Sequence, residues 1–68
     1  MSKILCERLK QERKKANLTQ NEVAQILKIS QSTYAGYETG KSEPNIEIIT
    51  KIADVFKTSI DYLTGRYK

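Results

Sequence analysis

Thr19-Gln-Asn-Glu-Val-Ala-Gln-Ile-Leu-Lys-Ile-Ser-Gln-Ser-Thr-Tyr-Ala-Gly-Tyr-Glu38 reads as two short helices joined by a tight turn. Each carries its own start signal. Thr19 precedes Glu22 by three positions, so its hydroxyl can accept from the Glu22 backbone N–H while the carboxylate reaches back, satisfying two orphan donors reciprocally. Ser30 precedes Thr33 by the same interval, but only Ser30 has the chemistry of a good cap, because Thr is a poor substitute for Glu or Gln three residues on. Between the two signals, Val23, Ala24 and Leu27 make one narrow apolar face. The small Ala24 lets a neighbouring helix approach closely. In the turn, Leu27-Lys28-Ile29-Ser30, Ile29 is the apolar plug.

The second of these helices has two unlike sides. At about 100° per residue, Tyr34 and Tyr37 fall on one side with the cap Ser30, while Gln31, Ser32, Ala35 and Gly36 occupy the other. The tyrosines read as core rings with their hydroxyls at the rim. A surface helix ordinarily carries a charged outer face; this one is neutral and small, which suits contact with base edges. Residues 19–38 therefore have the pattern of a helix-turn-helix whose second helix enters the DNA major groove.

Outward from that stretch the chain reads as five helices and no strand, an all-α fold. The first runs over about 3–16, with Leu5 and Leu9 one turn apart, Cys6 and Ala16 beside the same face, and Asn17 as a left-handed cap. Cys6 reads as a small core hydrophobe rather than a reactive thiol, since no cationic pair flags it. After Glu38, Gly40 is the expected helix cap, Pro44 forbids continuation and Asn45 can cap the next helix. Ile46, Ile49, Ile52, Ala53 and Phe56 then recur at helical spacing, a core face. A brief last helix starts at Ser59, carries Ile60, Tyr62 and Leu63, and ends at Gly65. Tyr67 and Lys68 read as a frayed end.

A chain of 68 residues makes one domain, expected to span 1–68, and buries only about 60% of its unfolded surface, so a dimer partner would stabilise it. Twelve Lys+Arg against eight Asp+Glu leave +4, which favours an anionic partner. The whole of that excess lies in residues 1–17, with six positive and two negative side chains. Affinity for DNA therefore cannot come from charge on the third helix. It must rest on backbone N–H groups, polar side chains and lysines at the margins. One Cys and no His leave no internal disulfide, no metal set and no cofactor site. No apolar run marks a signal peptide or approaches the length of a membrane span, so the chain is expected in a reducing cytoplasm. Catalysis is excluded by the same inventory: no nucleophile with a base, no metal set and no Gly-rich phosphate loop. No small-molecule substrate is implied.

Several fixed spacings occur together: Leu18-Thr-Gln-x-Glu-Val-Ala, Ile29-Ser-Gln-Ser-Thr-Tyr, Tyr37-Glu-x-Gly-Lys, Glu43-Pro, and Ile52-Ala-Asp-x-Phe with Ser59-Ile-Asp-Tyr-Leu. From about Leu5 to Gly65 the chain resembles the lambda repressor/Cro-like (XRE, Cro/C1-type) helix-turn-helix family of bacterial and phage transcriptional regulators. The resemblance implies a compact five-helix DNA-binding domain with the helix-turn-helix at helices 2 and 3. Read alone, Arg13 is a solvated member of a basic helix; the resemblance implies instead that it pairs with Glu38, which ends the recognition helix. It also implies that Gln20 touches a phosphate and braces the first Gln of that helix. The last helix and the loop before it, through Phe56, Thr58, Ile60 and Tyr62, are implied as a dimer interface. The family most often has Gly where this chain has Lys28 and Lys57, in left-handed backbone, and a side chain there costs about 1 kcal/mol.

The expected DNA contacts follow. Gln31 is the one side chain on the exposed face able to make a bidentate contact to adenine N6 and N7. Ser32 can bond to a base or a phosphate, and Ala35 offers a methyl to a thymine methyl. Gly36, costly in mid-helix by about 1 kcal/mol, either lets the helix sit deep in the groove or simply faces water. Thr33 and Lys41 are expected on phosphates with Gln20, and amides at the helix start add an anion site. Glu43, where relatives are often basic, argues against a second contact nearby. The expected function is a sequence-specific transcriptional regulator, a repressor that binds a palindromic operator in double-stranded DNA as a homodimer. Two alternatives remain: a protein-interaction module such as an antitoxin, and the DNA-binding part of a longer repressor, placed last because no linker-like tail follows Gly65.

Overall fold

The computed structural model describes residues 3–66; Tyr67 and Lys68, expected to fray, lie outside them. Five helices follow in order: α1 (Lys3–Lys15), α2 (Gln20–Leu27), α3 (Gln31–Thr39), α4 (Ile46–Phe56) and α5 (Ile60–Thr64). No strand occurs among the described residues.

Local chemistry accounts for the boundaries. Thr19 and Glu22 form the reciprocal box, the Glu22 N–H donating to Thr19 Oγ1 at 3.1 Å and the Thr19 N–H to Glu22 Oε1 at 2.8 Å. Ser30, Asn45 and Ser59 each accept from the backbone N–H three residues on, at 3.1, 2.8 and 3.0 Å, so α2 to α5 all start on a side-chain cap. They also all end in left-handed backbone, at Lys28, Gly40, Lys57 and Gly65, with φ of 61°, 84°, 54° and 83°. Asn17, at φ 58°, turns the chain after α1. Lys28 and Lys57 take this conformation with side chains attached, and backbone bonds hold them. Around Lys28 the bonds are Lys28 N–H to Gln25 O at 3.1 Å and Ile29 N–H to Ala24 O at 3.0 Å. Such wrapped termini leave few orphan carbonyls.

α3 packs against α1 and α2, α5 bridges α1 and α4, and α2 touches α4. Their shared core holds Leu5 and Leu9, Val23, Ala24 and Leu27, Tyr34 and Tyr37, Ile49, Ile52, Ala53 and Phe56, and Leu63. Ile29 packs against it from the turn. Three expectations fail at the margins. Ile46 is 74% exposed, because the start of α4 projects beyond the core, which the helix meets only from Ile48 and Ile49 onward. Ala16 is exposed, because α1 stops at Lys15 and the chain turns away there. Cys6 is only half-buried, lying at the α1 surface under Gly40, where a Cβ would stand 3.6 Å from Sγ.

Candidate nucleic-acid interface

The inner side of α3 is fixed by three kinds of contact. Tyr34 and Tyr37 are buried and meet edge to face, ring centroids 6.2 Å apart at 84°. Glu38, on the same side, has a side chain 1% exposed and is gripped by Arg13 of α1: Nε donates to Oε2 at 2.7 Å and Nη2 to Oε1 at 3.3 Å. Arg13 Nη1 also donates to the Leu18 carbonyl at 3.0 Å, tying the α1–α2 connection to the same guanidinium. Gln20 completes the set, its Nε2 donating to Glu38 Oε1 at 3.1 Å.

These contacts decide the charge states. Burial alone would push the Glu38 carboxyl up, but donors from Arg13 and Gln20 hold it below the usual carboxylate range, because hydrogen bonds to the charged form favour it. The hydrogen bond with Glu38 raises Arg13 further. The Tyr34 hydroxyl was expected at the rim; it is instead wholly buried, with no hydrogen-bond partner of normal geometry among the described residues. Burial first, and then the nearby Glu38 carboxylate, hold this phenol protonated far above its ordinary range.

The outer side differs in every respect. Gln31, Ser32 and Thr33 are exposed and Ala35 is half-buried. The Gln31 side chain makes no hydrogen bond to the other described residues, so its amide stands ready for an external partner. Ser32 Oγ lies 3.5 Å from Ser30 Oγ, and the Thr33 hydroxyl sits 2.7 Å from that same cap oxygen. Thr33 is thus part of the cap through its hydroxyl, a role that needs neither Glu nor Gln at that position. Lys41, just past α3, is exposed.

Three site expectations need correction. Gly36 is buried, not facing a groove: the turn after α3 folds back over it, and a Cβ there would stand 2.8 Å from Ser42 Oγ. Gln20 is half-buried and its amide is directed to Glu38, not to Gln31, because the charged acceptor forms the stronger hydrogen bond. Phe56 belongs to the core at 8% exposure, so its ring is not offered to a second copy. Of the other residues expected at a dimer surface, Thr58, Ile60 and Tyr62 are half-buried. The Tyr62 ring is covered by Arg8, whose Cζ lies 4.3 Å from the ring centroid, while Arg8 Nη1 donates to the Tyr62 carbonyl. This α1–α5 clamp joins residues 54 apart in sequence and no local pattern announced it. Glu12, 8% exposed and bonded by Lys15 at 3.3 Å, is a second buried acid that periodicity did not flag.

No group of His, Cys, Asp and Glu among the described residues could hold a metal. Among the described residues no helix is long and apolar enough to cross a membrane. What the molecule presents is a short helix with a neutral polar outer edge, locked from behind by a charge network. The class this defines is the helix-turn-helix module, α2 and α3 joined through the left-handed Lys28.

The helix-turn-helix family profile matches residues 9–63, and the chain belongs to this family, of Cro/C1 (XRE) type, whose members are DNA-binding transcriptional regulators rather than enzymes. It is 45% identical over 62 residues, 91% of its length and 53% of the relative's, to the HTH-type transcriptional regulator AnsR of Bacillus subtilis. It is 44% identical over 61 residues, 90% of its length and 54% of the relative's, to the cryptic phage CTXphi transcriptional repressor RstR of Vibrio cholerae. Among solved structures, a transcriptional regulator from Listeria innocua superposes with a TM-score of 0.85 at 31% identity, covering 94% of this chain and 60% of that one. The chain thus spans about half the length of the curated relatives it matches.

Proposed function

We propose that this chain forms one domain that acts as a sequence-specific transcriptional repressor, binding a palindromic operator as a homodimer with α3 in the major groove. The observation that carries this reading is the contrast across α3. An unpaired Gln31 amide and the Ser32 hydroxyl are exposed at its N-terminal end, while Tyr34, Tyr37 and Glu38 anchor its back. Gln31 reads an adenine through N6 and N7, and Ser32 and the Ala35 methyl touch neighbouring base edges. Lys41 and Thr33 meet phosphates and set the register. Gln20, whose amide keeps one proton beyond its bond to Glu38, reaches a phosphate at the start of α2. A second copy docks through the half-buried Thr58, Ile60 and Tyr62. The site of action is the cytoplasm, where the DNA of bacteria and phages is found. The relative named as a phage repressor favours repression as the sign of control.

Selection of bound duplexes from a random pool tests the whole reading. The expected result is a two-fold symmetric motif with half-site centres about 34 Å apart, one helical turn. An unsymmetric motif would remove the homodimer, and enrichment of nothing would remove sequence reading altogether.

A further inference from the structure

α1 carries the charge excess of the chain, and its contacts show which of those charges are already engaged. Arg13 is bound to Glu38 and the Leu18 carbonyl, Lys15 to Glu12, and Arg8 to the ring and carbonyl of Tyr62. Lys3, Lys10 and Lys14 are exposed and make no ion pair among the described residues. Glu7 shares their side of the helix and pairs with none of them.

The packing of α1 places these lysines. On one flank Arg8 reaches α5, and a Cβ on Gly65 would stand 3.0 Å from Ile4 Cγ2. On the other flank Arg13 holds Glu38, and a Cβ on Gly40 would stand 3.6 Å from Cys6 Sγ. The end of α3 therefore lies along the Cys6–Arg13 flank. Lys10 is four residues after Cys6 and three before Arg13, and Lys14 is four after Lys10, so both fall on the shoulder beside that flank. Lys41, the residue after Gly40, is exposed at the same corner. Lys10 and Lys14 are about 6 Å apart along the axis, close to two phosphate steps of about 3.4 Å on one DNA strand. α3 itself brings no free charge, because its one charged residue, Glu38, is paired.

We propose that Lys10 and Lys14 form, with Lys41, a second contact surface for the DNA backbone: a track on the shoulder of α1 that holds phosphates outside the base pairs read by α3. This rests on the DNA-binding reading above and extends the interface to a helix with no part in base recognition. Like charges at regular spacing, with no acid bonded to them, fit a polyanion. The track supplies affinity that the neutral reading edge lacks, and α3 supplies the preference.

Lys10→Gln and Lys14→Gln should keep the fold, because both sites are exposed and Gln is nearly as good a helix former as Lys. Each should weaken binding to the selected operator and to unrelated duplex alike, and reduce the slope of log K against log salt by about one unit, the double variant by about two. The order of preference among operator variants and the thermal melts should not change, and Lys10→Arg should keep the slope. Lys51→Gln controls for loss of charge alone: Lys51 is exposed on α4, which packs on α2 and α5, and its removal should leave the slope in place. The proposal is overturned by an unchanged slope in the double variant, which would leave the stripe to an acidic protein. It is equally overturned by the same reduction in Lys51→Gln, which would make the effect one of net charge, or by an altered order of preference. Wild-type protein that binds duplexes without preference, its slope still reduced in the double variant, would sink base reading and leave the track standing. Wild-type protein that binds no duplex would sink both.

Discussion

The two sides of α3 are nine residues of one helix solving opposite problems. The inner side carries the large and charged groups, Tyr34, Tyr37 and Glu38, all buried. The outer side carries small or neutral ones, Gln31, Ser32 and Ala35, largely exposed. On a free-standing amphipathic helix the charges face water. Here the one charged residue of α3 is inside, where Arg13 and Gln20 satisfy it, and the outside is left without charge. What this teaches is that the ion pair acts as an anchor: it orients the helix from behind, so that no side chain on the reading edge is needed to hold the fold. Stability and recognition are thereby assigned to different residues of a single helix.

Substitutions should separate the two sides in that order of size. Arg13→Ala leaves the Glu38 carboxylate buried with Gln20 as its main donor, and should cost about 3 kcal/mol in urea unfolding; a loss below about 1 kcal/mol would mean that ring packing alone orients α3. The same pair predicts a pH dependence. Glu38 is held below its unfolded value, which lies near about 4.3, so its contribution is fully present above that value and is lost as pH falls through the folded-state value. Denaturation midpoints followed downward from pH 6 should show this fall in the wild type and a flatter profile in Glu38→Gln.

Gln31→Ala tests the opposite side. It should weaken binding to the selected operator by about 1–3 kcal/mol, with little change on unrelated DNA and unfolding free energy within about 0.5 kcal/mol of wild type. Equal losses on all sequences would make Gln31 a backbone contact and blur the division between the sides. The smallest effect concerns the turn that feeds both. Lys28→Gly should stabilise by about 0.5–1 kcal/mol, relief of left-handed strain being partly offset by the freedom Gly gains in the unfolded chain. Operator affinity should not change. If it drops, the Lys28 ammonium belongs among the phosphate contacts.

Much of this architecture was legible before any coordinates, and the legible parts share a cause. Caps and stops depend on residues three or four apart, so Thr19 with Glu22, Ser30, Asn45, Gly40 and Pro44 announced themselves. Helical spacing exposed the core of α4 from Ile49 onward for the same reason, although it ran one turn too far and took in Ile46. The Arg13–Glu38 pair was implied only through family resemblance: nothing local distinguishes that arginine from its basic neighbours on α1.

What only the tertiary structure decided was the use made of groups whose chemistry was already evident. Gln20 could have bonded a phosphate, Gln31 or a carboxylate, and the buried charge of Glu38 settled its orientation. Phe56 read both as the end of the α4 core face and as contact surface, and the packing of the helices left it in the core. Gly36 looked like an open position on a helical wheel until residues 40–42 folded back across it. A wheel records angle about an axis and local spacing records the ends of helices. Neither contains the distance between segments far apart in the chain, and burial, charge state and pairing all depend on that distance.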